Sequence, residues 1–206
     1  MAVLALGKRW GVVVNSSSLQ NSQGDKEFCQ RLKEAKAPSA VCDMARGLWQ
    51  SWQQAIKQEQ VLYKQVCRLA EADPEIKRAG TLPGYGPIRA ATMICYLDTP
   101  HRFHSKSALW RYVGIGLQRE QSGQQMDRKC VDQTCNRLLR GVAIGAAQSV
   151  INLKENVFAR RYTQWICDGV SPMNARRNVA RYLVTVLWGM WKSKTDFDPS
   201  RLSALD

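Results

Sequence analysis

From Val41 to Ala72 the chain runs without a proline and with one glycine, Gly47. Val41, Met44, Leu48, Trp52 and Ile56, then Leu62, Val66 and Leu69, recur in that run mostly at steps of three and four. That period marks one face of a long amphipathic α-helix. Such length without an internal stop suits coiled-coil-like pairing, within the chain or between two copies. The same stripe also serves an ordinary core helix. Asp73-Pro74 ends or kinks it.

The rest of the chain reads as helical too. Asp25 to Ala35 suits a short helix, in a segment 1–40 that is otherwise polar and irregular. After residue 79, helices are expected from Pro87 to about Leu97 and over Ser105–Val113, Asp132–Leu153, Val157–Cys167 and Pro172–Lys194. An alternating strand pattern appears at Gly11–Val14 alone. The expected fold class is all-α: an irregular segment 1–40, a long helix at 41–74, a compact helical domain at 75–198 and a tail at 199–206.

Charge narrows the partners. Lys and Arg number 30 against 17 Asp and Glu, a formal charge of +13. Residues 79–206 carry 18 of the basic and 9 of the acidic residues, so a polyanion site belongs mainly to the helical part. The longest apolar stretch there, Tyr182–Trp191, is short for a membrane span, which needs about 20 residues. The N-terminus has no signal-peptide layout. A soluble, cytoplasmic protein with a nucleic-acid partner and no membrane is expected. The seven cysteines form no Cys-x-x-Cys. Cys130 and Cys135 with His101 and His104 match no common zinc spacing, so no metal site is assigned.

Three segments carry chemistry. The turn Leu82-Pro83-Gly84-Tyr85-Gly86-Pro87 between two helices resembles a helix-hairpin-helix element. There glycines admit a phosphate close to the backbone, and amides at the next helix start face it. Gly84, Tyr85, Gly86 and Arg89 are the candidate contacts, and a plain turn is the alternative. The segment Gly114–Gly123 reads as a polar loop. Its Ser122, beside Gly123 and among arginines, has the chemistry to attack a phosphodiester, although most loop serines are solvated bystanders. The run Asn136–Ala147 combines small residues for close packing with Arg137 and Arg140 on one helix face. With Arg119, Arg128 and Lys129, these arginines are candidate phosphate contacts; a solvated basic face is the alternative.

Taken in order, Leu82–Pro87, Phe103, Tyr112-Val113-Gly114, Gln121-Ser122-Gly123, Asn136–Arg140, Ala146-Ala147 and the late helix Arg176–Trp191 give the sequence a family resemblance. It resembles the C-terminal transposase domain of the insertion-sequence family one-ten, RNA-guided serine recombinases of bacterial mobile elements. The resemblance covers about residues 75–198. It implies DNA transposition and recombination with Ser122 as nucleophile, a guide RNA, and Mg²⁺ held by four acidic residues of a preceding RuvC-like domain. That domain has no counterpart in this chain, whose first acidic residue is Asp25. Leu117 and Cys135 stand where the family usually has Pro and Gly. The expectation is an N-terminally truncated transposase, inactive alone, with no cofactor bound by this chain and a homo-oligomer formed through 41–72. Two alternatives stay open: a non-catalytic helix-hairpin-helix DNA-binding protein, and a dimerising inhibitor of a full-length transposase.

Overall fold

The computed structural model describes residues 2–15, 24–153 apart from 121–127 and 132–134, and 155–202; for 117–120 and 128–131 it describes the backbone. The fold is helical with one short antiparallel ribbon, and it divides into a unit at 1–64 and a unit at 65–206.

In the first unit, α1 (Ala2–Arg9) and α2 (Gly24–Glu34) pack with the early part of α3 (Ser39–Ala72). Residues 2–9, expected to be irregular, are therefore helical, and the short helix expected at 25–35 is present as α2. Phe28, Cys29 and Leu32 of α2 meet Val3 of α1 and Cys42 and Ala45 of α3 in a small core. Gly11–Val14 is not a strand. Its alternation is real, with Val12 buried and Val13 72% exposed, but the Val12 N–H donates to Gly7 O at 2.9 Å and no strand pairs with it among the described residues. The long helix starts and stops close to where its period indicates, and the buried face overlaps the expected stripe only in part. Cys42 and Ala45 go in with Val41, Leu48, Trp49 and Trp52, whereas Met44, Leu62 and Leu69 are exposed.

The second unit is built on α9 (Pro172–Ser193), whose Val179, Ala180, Leu183, Val184 and Leu187 are fully buried. Against it pack α7 (Arg137–Asn152) and α8 (Val157–Cys167). Ala143, Ala146 and Ala147 have no exposed surface, so α7 approaches its neighbours closely, as its run of small residues indicates. Two shorter helices, α4 (Pro74–Gly80) and α5 (Pro87–Leu97), flank the turn at 81–86. Asp73 caps α4 by accepting from the Glu75 and Ile76 amides, and Pro74 occupies the first turn, where a missing N–H costs nothing. Next, α6 (Lys106–Val113) is capped by Ser105.

Two boundaries differ from expectation. The segment Gly114–Gly123, expected as a loop, holds a strand at Leu117–Glu120: this β1 pairs antiparallel with β2 (Arg128–Val131). And α7 begins at Arg137, not at 132, because the Asn136 side chain accepts from the Leu139 amide and fixes the first turn there.

Candidate nucleic-acid interface

The glycine turn and the arginines of α7 have different environments. In the turn, Gly84 has φ +85, and a Cβ placed on it would lie 2.6 Å from Val150 Cγ2 and 2.7 Å from Ala146 O. Its freedom admits α7, a piece of its own chain. Tyr85 is 2% exposed and belongs to the core; its hydroxyl has no partner among the described residues, and burial pushes its ionisation well up. Arg89 turns inward, where its Nη1 donates to Gly84 O at 2.9 Å and to Ser149 Oγ at 2.8 Å. The guanidinium thus ties the turn to α7. Of the four turn residues expected at a phosphate, Gly86 alone is exposed; its backbone is extended, and a Cβ there would meet nothing within 4 Å.

The arginines of α7 gain partners that the sequence reading did not name. Arg137 and Arg140, in the first turn of α7, line a cleft of about 450 Å³ together with Arg176 and Arg177 from the second turn of α9. Gly114, Ile115, Gly141, Ile144 and Met173 complete it, and no carboxylate stands among these lining residues. Two helix N-termini therefore converge on one cavity, each adding the positive end of its dipole. Ser171 at the head of α9 makes no side-chain cap. The Nε of Arg176 is buried and has no hydrogen-bond partner among the described residues, a costly state for a charged group. Behind the cleft, Arg181 donates through Nε to Ile115 O at 2.7 Å, and its ionisation is lowered by burial and by Arg177. The signal for this pair was present in the sequence as Arg176-Arg177, four positions beyond Pro172 at the start of a helical run. Its meaning depended on α7 and α9 meeting.

The ribbon is rooted at this cleft. Gly114 ends α6 in the left-handed region, at φ +78, and a Cβ there would stand 2.8 Å from Cys135 Cβ. β1 starts two residues beyond Ile115, and the chain returns from β2 to the Asn136 cap and Arg137. Arg119 stands opposite Lys129 in the ribbon register, and Glu120 opposite Arg128. Ser122 falls in the 121–127 connection, outside the described residues. His101 and His104 are exposed, and among the described residues no group of three His, Cys, Asp or Glu is placed to hold a metal ion. No described helix is long and apolar enough to cross a membrane.

Residues 77–163, from α4 through the ribbon into α8, match the family model described as Transposase IS116/IS110/IS902 family. That matched segment, under half of the chain, is similar to the transposase domain of that family. A relative supports this: the insertion element IS116 uncharacterized 44.8 kDa protein of Streptomyces clavuligerus is 23% identical over 167 residues. The match covers 81% of this chain and 41% of that protein, so the chain spans about two fifths of its relative's length. The matched segment holds Arg137 and Arg140, while Arg176 and Arg177 lie beyond it.

Proposed function

We propose that this chain engages DNA for a transposase and that Ser122 is the nucleophile of strand cleavage and transfer. The supporting observation is the cleft of Arg137, Arg140, Arg176 and Arg177, free of carboxylates and placed at the root of the ribbon whose connection contains Ser122. Four guanidiniums and two helix N-termini suit a phosphodiester, each arginine offering paired donors to its oxygens. In the serine step, Ser122 Oγ loses its proton and bonds to phosphorus. One bridging oxygen leaves and takes up a proton as the free strand-end hydroxyl. The phosphoserine ester retains the bond energy for rejoining by the reverse step. Charge gathering on the non-bridging oxygens is what arginines at this cleft stabilise.

The test compares duplex binding and covalent trapping. The chain binds duplex DNA with an affinity that falls about a thousandfold between 50 and 200 mM salt if roughly six phosphates are neutralised. Ser122→Ala leaves that binding nearly intact and abolishes any protein–DNA adduct formed when the complete recombination system, guide RNA included, is supplied. A flat salt response removes the electrostatic reading; adduct from Ser122→Ala removes the nucleophile.

A second element of the proposal is self-association through α3. Leu62 and Leu69, seven positions apart on one face, are each more than half exposed, on a helix whose Leu48 and Trp52 already pack in the first unit's core. Sedimentation at micromolar concentration shows a dimer if this face pairs. Clean monomer at all concentrations removes it.

A further inference from the structure

Further along α9 from the arginine cleft lies a larger cavity, of about 580 Å³, whose surface is mainly aromatic and apolar. Trp110, Trp165, Tyr182 and Phe197 supply its aromatic surface, and all four are partly exposed. The wall is held in place from behind. Fully buried Phe158 touches Tyr182 edge-on at 5.3 Å between centroids and stacks on Phe197 at 6.0 Å. The Trp110 indole N–H donates to Thr185 Oγ1 at 3.0 Å, which fixes that ring. Trp165 has no such anchor among the described residues.

Its rim is cationic. Arg161 lies over the Tyr182 ring at 5.1 Å, and Lys106, Arg181 and Arg201 also line the cavity. The two carboxylates there are engaged already: Asp198 accepts from Ser200 and sits beside Arg201, and Asp196 lies 3.8 Å from Arg78. A pocket with aromatic walls and a positive rim fits a planar ring carried on an anionic backbone. Lys106, Arg161 and Arg181 give the rim a charge that a phosphate backbone complements and an apolar peptide does not.

Position supports the same occupant. Arg177 lines the arginine cleft, while Asn178 and Arg181 line this cavity. Arg177 and Arg181 are one helical turn apart on α9, about 6 Å of rise. Arg181 itself joins the two, holding Ile115 O of the cleft and Asn178 Oδ1 of the cavity.

We propose that this cavity takes an unpaired nucleobase, on a strand whose backbone runs over the arginine cleft. The inference rests on the nucleic-acid reading of that cleft. Stacking on aromatic rings is tolerant of base identity, since every base has a π face. The pocket therefore selects for unpaired over paired nucleotides, not for sequence. The strand's sugar is the part left open, so deoxyribo- and ribo-oligonucleotides form separate arms of the test.

The experiment uses the full chain and three probes: a single-stranded DNA carrying 2-aminopurine, the same sequence as RNA, and the corresponding DNA duplex. The wild-type chain quenches 2-aminopurine in a single strand and leaves it unchanged in the duplex. Trp165→Leu lowers single-strand affinity about tenfold and abolishes the quench, while duplex affinity stays within about twofold. Gly189→Leu guards against a folding defect. Gly189 lines the cavity, a Cβ on it meets nothing within 4 Å, and leucine suits a helix interior. It fills the pocket without disturbing the fold and gives the same selective loss. The arm that binds tighter, DNA or RNA, names the natural strand. Equal loss on duplex and single strand, or no loss in either variant, overturns the pocket. Arg137→Gln with Arg177→Gln reads the cleft separately, because it weakens all three probes.

Discussion

The glycine turn at 81–86 and the arginine cleft at the heads of α7 and α9 are both places where this chain's sequence points to a phosphate. They differ in what fills the space that the sequence leaves open. At Gly84 the missing side chain is matched by Val150 and the Ala146 carbonyl, and the nearby Arg89 is already bonded to Gly84 O and Ser149 Oγ. At the cleft, four arginines face a cavity with no carboxylate among its lining residues, and one buried guanidinium nitrogen has no partner there. A glycine-rich turn between helices therefore serves two masters with one sequence: close approach to a ligand and close approach of another helix. Charge without an internal partner is the better guide to a ligand, because burying it unpaired is costly.

The largest effect expected on this contrast is from Gly84→Ala. A left-handed backbone and a Cβ driven into α7 together cost about 3 kcal/mol of stability, read from denaturant midpoints. Gly86→Ala, with open space around it, changes stability by less than about 0.5 kcal/mol. Equal costs at the two glycines would break the distinction between them.

Next comes the cleft itself. Arg137→Gln with Arg177→Gln lowers duplex affinity by about 2 to 3 kcal/mol, roughly thirtyfold to a hundredfold, and reduces the salt slope by about two. Stability stays close to wild type, since neither residue pairs with a carboxylate at this site. A loss of stability with unchanged affinity would reverse the assignment.

Arg89→Met has the opposite signature. Removing the guanidinium that joins Gly84 O to Ser149 costs about 1 to 2 kcal/mol of stability, and the folded variant binds duplex DNA within about twofold of wild type. A tenfold fall in affinity with stability intact would restore the turn as a phosphate site.

The smallest effect is at Tyr85. Its hydroxyl is buried without a described partner, so Tyr85→Phe leaves stability unchanged or raises it by about 1 kcal/mol. The pH dependence gives the sharper reading. Burial raises the ionisation of Tyr85 in the folded state, whereas in the unfolded chain it ionises near pH 10. Its contribution is complete below that pH and declines as pH rises above it, because the unfolded chain releases a proton that the folded one keeps. The difference between wild-type and Tyr85→Phe stability curves is flat below about pH 9 and opens above about pH 10. A flat difference throughout would place the hydroxyl in water, at the surface where a phosphate reaches it.

Local signals carried much of the fold. The caps at Asp73 and Ser105, the prolines at 74, 87 and 172, and the apolar periods all act within a few residues, so they set helix positions without tertiary help. Short elements escaped for the same reason. α1 has eight residues and β1 has four, lengths at which local preference alone does not hold a structure and packing or pairing must. The stripe on α3 showed that a helix exists; which side is buried followed from Phe28, Cys29 and Leu32 arriving from α2.

For the site, the sequence by itself determined the chemistry available: an excess of basic residues after position 79, a serine in an arginine-rich segment, and arginines paired along α7. Tertiary structure alone decided which of these meet. Arg137 and Arg176 stand 39 positions apart in the chain, and only the packing of α7 on α9 brings them to one cleft. Arg89, equally basic in sequence, was directed inward by hydrogen-bond acceptors on the turn and on α7. Charge is a property of a residue, but its availability to a ligand depends on the neighbours that folding supplies.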